Sequence, residues 1–295
     1  MILLTGTSGF IGSNLLDTLL KHNKDVVALT SKPITKAKYI LHNGYNFNFD
    51  LIQSAGYGNL IETIVHVGAF TPKNSEQANK IHSCNQNIFN LEKLLDLTLP
   101  NLKKVIFLST LDVYDDTDVV SEETTISPRS LYGYSKIYSE KMITAFAESR
   151  GIIGQILRIG HVYGSGEEKY EKLIPETMKR ILADEAVDIW GDGTELRSFI
   201  YIDDVVKAII NSIYLSQQVG PINVVSENSL SIEKVVKGII EISGAQVKVN
   251  YLPRKGLARN LKFDTQKMKR FLLSTETDMR TGLKIEWNYM MTLKS

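Results

Sequence analysis

"ILLTGTSGFIGSNLLDTLLKH", residues 2–22, decides the fold. Ile2 to Thr5 is short and apolar enough for a strand buried on both faces. Phe10, Ile11, Leu15, Leu16, Leu19 and Leu20 recur at helical spacing and predict an amphipathic helix. Gly6, Gly9 and Gly12 lie between strand and helix. In such a unit the first glycine permits a tight turn, the second lets the backbone approach a pyrophosphate, and the third lets helix and strand pack closely. The free N–H groups at the helix start, at the positive end of its dipole, suit an anion. The stretch predicts a dinucleotide-binding βαβ opening, with Gly6, Ser8, Gly9, Phe10, Ile11 and Gly12 around the phosphates.

The rhythm continues downstream. "DVVALT" (25–30) reads as the second strand, "YNFNFD" (45–50) as an alternating strand, and "TIVHVGAF" (63–70) as a buried one ending in small residues. Residues 76–97 read as a helix, "KVIFLST" (104–110) as a strand, residues 132–149 as a helix and "IGQILRI" (153–159) as a strand. Strands alternating with helices imply a mostly parallel sheet with right-handed crossovers. The fold class is α/β: a Rossmann-type doubly wound sheet with a smaller, interleaved C-terminal domain. In dinucleotide units an acid at the end of the second strand holds the ribose hydroxyls. Here Thr30, Ser31 and Lys32 stand in that place. They would not repel an extra phosphate, so NADP is expected over NAD. Asp50, followed by Leu51, is expected on the adenine side.

Composition narrows the function classes. A formal charge of +1 and no lysine–arginine block argue against a nucleic-acid partner. No apolar stretch reaches the roughly 20 residues that span a bilayer. Cys84 is the single cysteine, expected as a buried, inert thiol in a reducing compartment. The expected location is cytoplasmic, and no metal ligand set is assigned.

Two Tyr-x-x-x-Lys spacings occur, Tyr132–Lys136 and Tyr251–Lys255. Pro253 inside the second breaks a helical turn. The first lies in a proline-free helical run, so Tyr132 and Lys136 share a helix face. The strand before it delivers Ser109 and Thr110 to the sheet edge where ligands bind in such folds. A phenol suits the alcohol proton of a hydride transfer if a nearby cation draws its pKa down from its ordinary ~10. Lys136 is that cation, and Thr110 can hold the substrate oxygen.

Together "TGTSGFIG", "VHVGA", "LSTLDVY", "YGYSK", "LRIGHVYG" and "WGDGTELRSFIYIDDVVKAI" resemble the extended short-chain dehydrogenase/reductase family, the nucleotide-sugar epimerases, dehydratases and 4-keto reductases. The resemblance implies Thr110, Tyr132 and Lys136 as the catalytic set. It also implies Val67, Gly68, Ala69, Asn85 and Ser109 near the cofactor, with Tyr132 and Lys136. The substrate would be a nucleotide-diphosphate sugar, contacted by Thr110, Tyr132, His161, Arg197 and Arg254. Where the family's dehydratases carry Thr-Asp-Glu, this chain has Thr110-Leu111-Asp112, and leucine cannot donate a proton. His161 in "LRIGHVYG" and "KLIP" (172–175) resemble the abequose synthase type of 4-keto reductase. Reduction of a 4-keto-6-deoxy nucleotide sugar is therefore expected. C4 epimerisation with bound NAD is the alternative, and a non-catalytic dinucleotide sensor stands behind both. Domain boundaries are expected at 1–164 and 165–295, with a segment near 198–225 returning to the first. Helices are expected over 168–183, 203–214 and 231–243, the last capped by Ser231. Trp190 is expected in the core. The helices 76–97 and 132–149 imply a four-helix homodimer interface.

Overall fold

A computed structural model of the chain describes residues 1–42, 52–53, 55–254, 260 and 262–294. The strand expected at 45–50, with Asp50, and Leu51 after it lie outside the described residues. The chain divides into two units, Met1–Asp115 with Thr125–Ile159 and Val206–Asn223, and Asp116–Thr124 with Gly160–Val205 and Val224–Ser295. These bounds differ from 1–164 and 165–295. Residues 116–124 join the second unit because Val120 pairs its backbone with Lys262 and Asp264, a long-range bridge that a sequence pattern cannot announce.

The first unit is a seven-stranded sheet flanked by helices. β1 (Ile2–Thr5) is followed by α1 (Phe10–Lys21), β2 (Val26–Thr30), β3 (Lys38–Leu41) and β4 (Thr63–His66). Then come α2 (Ile81–Leu95), β5 (Lys104–Thr110), α3 (Leu131–Arg150) and β6 (Ile153–Ile159). The strand order is β10-β6-β5-β4-β1-β2-β3, with β10 at Ile222–Val224. Pairings from β6 through β3 are all parallel. The order reverses between β1 and β4, so the ligand crevice of such a sheet opens at the carboxyl ends of those two strands. β3 was not anticipated: its apolar run, Tyr39-Ile40-Leu41, is only three residues long, and at the sheet edge only Ile40 is buried. Leu3, Val27, Ile64, Val105 and Ile156 from the strands meet Leu91, Leu94 and Ile143 from α2 and α3 in one buried core.

Local signals set the helix ends. Ser130 caps α3 through the Gly133 N–H (3.1 Å), and Gly151 ends it in a left-handed conformation at φ 62°. The expected helix at 76–97 is interrupted. A 3-10 turn covers Gln77–Asn79, Lys80 is extended at ψ 102°, and α2 begins at Ile81. In α5 (Ile202–Tyr214), the part from Val206 onward belongs to the first unit. Buried Lys104 donates to the carbonyls of Ser212, Ile213 and Leu215 at that helix's end. A cation there meets both the free carbonyls and the negative end of the dipole.

The second unit holds two small sheets. β7 (His161–Tyr163) runs parallel to β9 (Leu196–Tyr201), which pairs antiparallel with β11 (Ser229–Ser231). β8 (Val187–Trp190) pairs parallel with β12 (Val249–Leu252). Helices α4 (Leu173–Leu182), α6 (Ile232–Ser243) and α8 (Met279–Lys294) pack on one another, and α7 covers Gln266–Phe271. The helix expected over 168–183 starts at Leu173, after a 3-10 turn at Glu167–Lys169. Ser231 caps α6 through the Lys234 N–H at 3.2 Å. Trp190 departs from its core expectation. It ends the outward-facing side of β8 and is 47% exposed.

Candidate active site

The glycine turn is built for close backbone approaches. Gly6 has φ 74°, and a Cβ there would lie 2.5 Å from the Gly68 nitrogen. A Cβ on Gly12 would lie 2.1 Å from the Gly6 carbonyl oxygen. Both glycines are required by the protein's own packing. Gly9 is different: its φ is −88°, and an added Cβ would meet only the Gly6 oxygen, at 3.3 Å. Gly9 precedes α1, whose first turn has neither a side-chain cap nor an acid. The N–H groups of that first turn lie at the positive end of the dipole. Thr7 Oγ1 beside them is buried without a hydrogen-bond partner among the described residues. This cradle fits a dinucleotide pyrophosphate. Ser8 is exposed at its mouth, Ile11 is half-buried and Phe10 is buried in the helix–sheet interface.

At the end of β2, the Thr30 hydroxyl is buried and donates to its own Lys32 carbonyl at 3.0 Å. Ser31 and Lys32 are exposed beyond it. Lys36 and Lys38 pair with Asp17 and Asp25 at 2.5 and 3.1 Å, so those two cations are already matched.

At the switch point, Thr5 Oγ1 accepts from the Val67 and Gly68 N–H groups at 3.1 and 2.9 Å. It also bonds His66 Nδ1 at 2.8 Å. This ties the chain after β4 against the glycine turn. Val67, Gly68 and Ala69 are half-buried there. His66 escaped the sequence reading. It stacks on Phe107 at 5.8 Å, and burial with the nearby Lys136 charge pushes it down to about 3, so it is a neutral ring.

Thr110, Tyr132 and Lys136 converge at the end of β5. The hydroxyls of Thr71 and Thr110 hydrogen-bond the buried Tyr132 phenol. Lys136 Nζ lies 5.9 Å from the Tyr132 ring centroid and 4.8 Å from that of Phe107, and donates to the Leu108 carbonyl at 2.8 Å. Burial pushes Lys136 down to about 8, against a raising influence from Glu140. The phenol differs from the expected lowering: burial and then Asp112 raise it, while Thr71 and Thr110 pull it down. In the protein alone Tyr132 is a neutral donor. Asp112 is exposed in a 3-10 turn, Leu111–Val113.

Two expected cofactor contacts face elsewhere. Strand alternation puts Ser109 opposite Thr110, and the Ser109 hydroxyl donates to buried Glu140 at 2.6 Å. Glu140 also takes two bonds from Arg158, at 3.0 and 2.7 Å. Arg158 reaches the Tyr114 hydroxyl at 2.7 Å, and that hydroxyl donates to Asn223 at 2.7 Å. Asn85 is exposed on α2. The inward positions are Cys84 and Asn87, which fall three apart on the buried stripe. Asn87 spans the Phe70 backbone, accepting from its N–H at 2.7 Å and donating to its carbonyl at 3.1 Å. Cys84 is buried, raised by that burial, and close enough to act on Tyr132.

The second unit carries a cavity of about 210 Å³. His161, Arg197, Phe199, Lys172, Glu167 and Ile232 are among its walls. Exposed His161 lies 6.0 Å from the Phe199 ring. Arg197 pairs with Glu195, and Lys172 pairs with Glu167 at 2.8 Å. The cavity thus joins His161 and Arg197 with two residues not anticipated as site members, Lys172 and Glu167. The motif "KLIP" was the available signal for Lys172. Arg254 is not among the cavity walls; it pairs with Asp192 at 2.9 Å on the Gly191–Gly193 turn.

The chain matches the sequence model of the NAD dependent epimerase/dehydratase family over residues 2–224, and it belongs to that family of extended short-chain dehydrogenase/reductase enzymes. It is 31% identical over 311 residues to the Bacillus subtilis (strain 168) protein "Uncharacterized UDP-glucose epimerase YtcB", covering 99% of this chain and 98% of that one. Among solved structures, MoeE5 in complex with UDP-glucose and NAD matches with a TM-score of 0.87 at 27% identity, over 100% of this chain and 99% of that one. The UDP-glucuronic acid 4-epimerase from Bacillus cereus, in complex with UDP-glucuronic acid and NAD, matches with a TM-score of 0.82 at 25% identity, over 99% of each chain. The expected α/β Rossmann fold and enzyme class are those of these relatives. Among the described residues, no helix is long and apolar enough to cross a membrane.

Proposed function

We propose that the protein inverts C4 of a UDP-activated sugar by oxidation and re-reduction, using a retained NAD. The observation that carries the reading is the convergence of Thr110, Tyr132 and Lys136 with Thr71, on the loop that Gly68 presses against the glycine turn. When bound, NAD supplies a hydride acceptor for the sugar's C4 and, in its oxidised form, a positive charge that favours phenolate at Tyr132. Tyr132 takes the C4 hydroxyl proton as the C4–H bond breaks, and returns it to the oxygen when that bond re-forms on the other face. Thr110 holds the sugar oxygen, and Lys136 hydrogen-bonds the ribose beside it. Because one phenol serves both directions, the C4 ketone must turn while the nucleotide stays held. Arg197 and Lys172 would hold the diphosphate, a role that suits a guanidinium fork and an ammonium.

The relatives support this alternative better than the expected one-way reduction, since their names carry UDP-glucose epimerase and UDP-glucuronic acid 4-epimerase. The complexes with NAD likewise support NAD, where Thr30, Ser31 and Lys32 alone favoured NADP. Leu111 remains an argument against dehydration. A reducing, cytoplasmic setting fits a single cysteine that is buried and free.

The test incubates purified protein with UDP-glucose and follows UDP-galactose, with the released dinucleotide identified after heating. Interconversion without added cofactor is expected, with NAD released. Consumption of one NAD(P)H per 4-keto sugar, without interconversion, would make it a reductase. Tyr132→Phe should lower turnover by roughly 10²–10⁴-fold and leave NAD content unchanged; undiminished turnover would remove the catalytic assignment.

A further inference from the structure

Behind the cavity of the second unit, acidic groups sit buried with carboxyl oxygens left unpartnered among the described residues. Glu167 is 2% exposed and Glu286 1% exposed. Both Glu286 carboxyl oxygens, Glu167 Oε2, Glu168 Oε2 and Tyr163 Oη are buried with no hydrogen-bond partner among the described residues. One helix, a strand end and a 3-10 turn bring them together. Glu286 comes from α8, Tyr163 from β7, and Glu167 and Glu168 from the turn before α4. Lys172 and Glu168 act on Glu167, and Glu167, Glu168 and Lys172 act on Glu286. Tyr163 and Tyr201 face Glu286, Asp204 acts on both tyrosines, Asp203 on Tyr201 and Asp278 on Tyr163. Tyr289 hydrogen-bonds Glu168. In this set Lys172 is the one cation.

Lys172 is poorly fixed for so central a counter-ion. Its side chain is 50% exposed on the cavity wall, beside Arg197 and His161, and its ion partner is Glu167. An anion entering the cavity competes for it. Arg197 also has a carboxylate partner, but Glu195 is 17% exposed, so water can solvate that group when Arg197 turns away. Glu167 has no such access. A buried carboxylate that loses its counter-ion takes up a proton instead of staying charged.

We propose that Lys172 is an exchangeable counter-ion, leaving Glu167 for the diphosphate of a bound nucleotide sugar while the Glu167–Glu286 pair takes up a proton from solvent. The inference rests on the nucleotide-sugar reading and deepens it. Charge balances: the ammonium that neutralised Glu167 goes to the phosphates, and one solvent proton replaces it on the carboxyl pair. Burial already raises both carboxyls, Glu286 to about 8, and Lys172 is the influence that holds Glu167 down. Its departure raises the pair further. Uptake requires that Glu167 be ionised before the ligand arrives. It fades at low pH, where the pair is protonated before the ligand arrives. Nucleotide affinity weakens as pH rises above neutrality, by up to about tenfold per unit of pH for one linked proton.

The test is titration calorimetry of the whole protein with UDP near neutral pH, in buffers of high and low ionisation enthalpy. The expected result is a buffer-dependent heat corresponding to net proton uptake. Glu167→Gln should abolish the uptake, because the amide cannot titrate. Lys172→Met should abolish it too, because its pair is protonated before UDP arrives; a melting curve of the variant checks that it stays folded without the ammonium. Binding of UDP with heats independent of buffer, or uptake that persists in Lys172→Met, overturns this inference and leaves the proposed function standing. No UDP binding at all overturns both.

Discussion

Lys136 carries its ammonium inside the protein, and that has a measurable cost. Its pKa is pushed down to about 8 in the fold, against the ordinary 10.5 of the unfolded chain. Below pH 8 both states hold the proton and the full penalty is present, roughly 3 kcal/mol. Between about 8 and 10.5 the unfolded state binds more protons, so this contribution makes stability rise with pH. Urea unfolding of the wild type and of Lys136→Met across that window should show the wild type gaining on the variant; parallel curves would remove the burial argument. Arg158 poses the opposite case, a cation locked by two bonds to buried Glu140. Arg158→Met leaves that carboxylate uncompensated and should cost roughly 3–5 kcal/mol in the same assay. The side chains Tyr132, Lys136 and Glu140 follow at four-residue steps, and the first two were legible from that spacing. His66, Asn87 and the Arg158–Glu140 pair were not, because a buried polar residue is recognised by its partner, and each partner is distant in sequence.

Among the elements, α1 was the most readable. Its apolar spacing and glycines carried their meaning locally, and Gly6 and Gly12 meet backbone where an added Cβ would go. Gly9 separates packing from binding. Gly12→Ala puts a methyl 2.1 Å from a carbonyl oxygen and should lower the melting temperature sharply or prevent folding. Gly9→Ala meets only the Gly6 oxygen at 3.3 Å. It should melt within a few degrees of wild type and lose dinucleotide affinity; retained dinucleotide would mean that no phosphate approaches that backbone. Elements with weak periodicity were misread. β3 offers only three consecutive apolar residues, and nothing within 76–97 marks the break at Lys80. Ser109 and Asn85 were assigned to the site by neighbourhood, while strand and helix periodicity turned them away.

At the scale of the molecule, α2 and α3 pack side by side with apolar groups on their outer surfaces. Ile81 and Phe89 are exposed on α2, and Tyr134 and Tyr138 on α3. A homodimer through this face is the proposal that covers them. Sedimentation should give a dimer for the wild type and a monomer for Phe89→Asp with Tyr138→Glu; a monomeric wild type would dismiss it.

The sequence by itself determined the alternating βα order, the glycine turn before α1 and the Tyr132–Lys136 face. Each of these depends on spacing within one or two elements, where backbone geometry converts position directly into orientation. Tertiary structure alone decided which strand neighbours which and the bridge that takes residues 116–124 into the second unit. It also decided the neutral state of His66 and Tyr132, and the meeting of Glu167, Glu286 and Lys172. Those depend on burial and on charges brought together from distant segments. Desolvation acts only once the chain has closed around a group, so no local reading of residues could contain it.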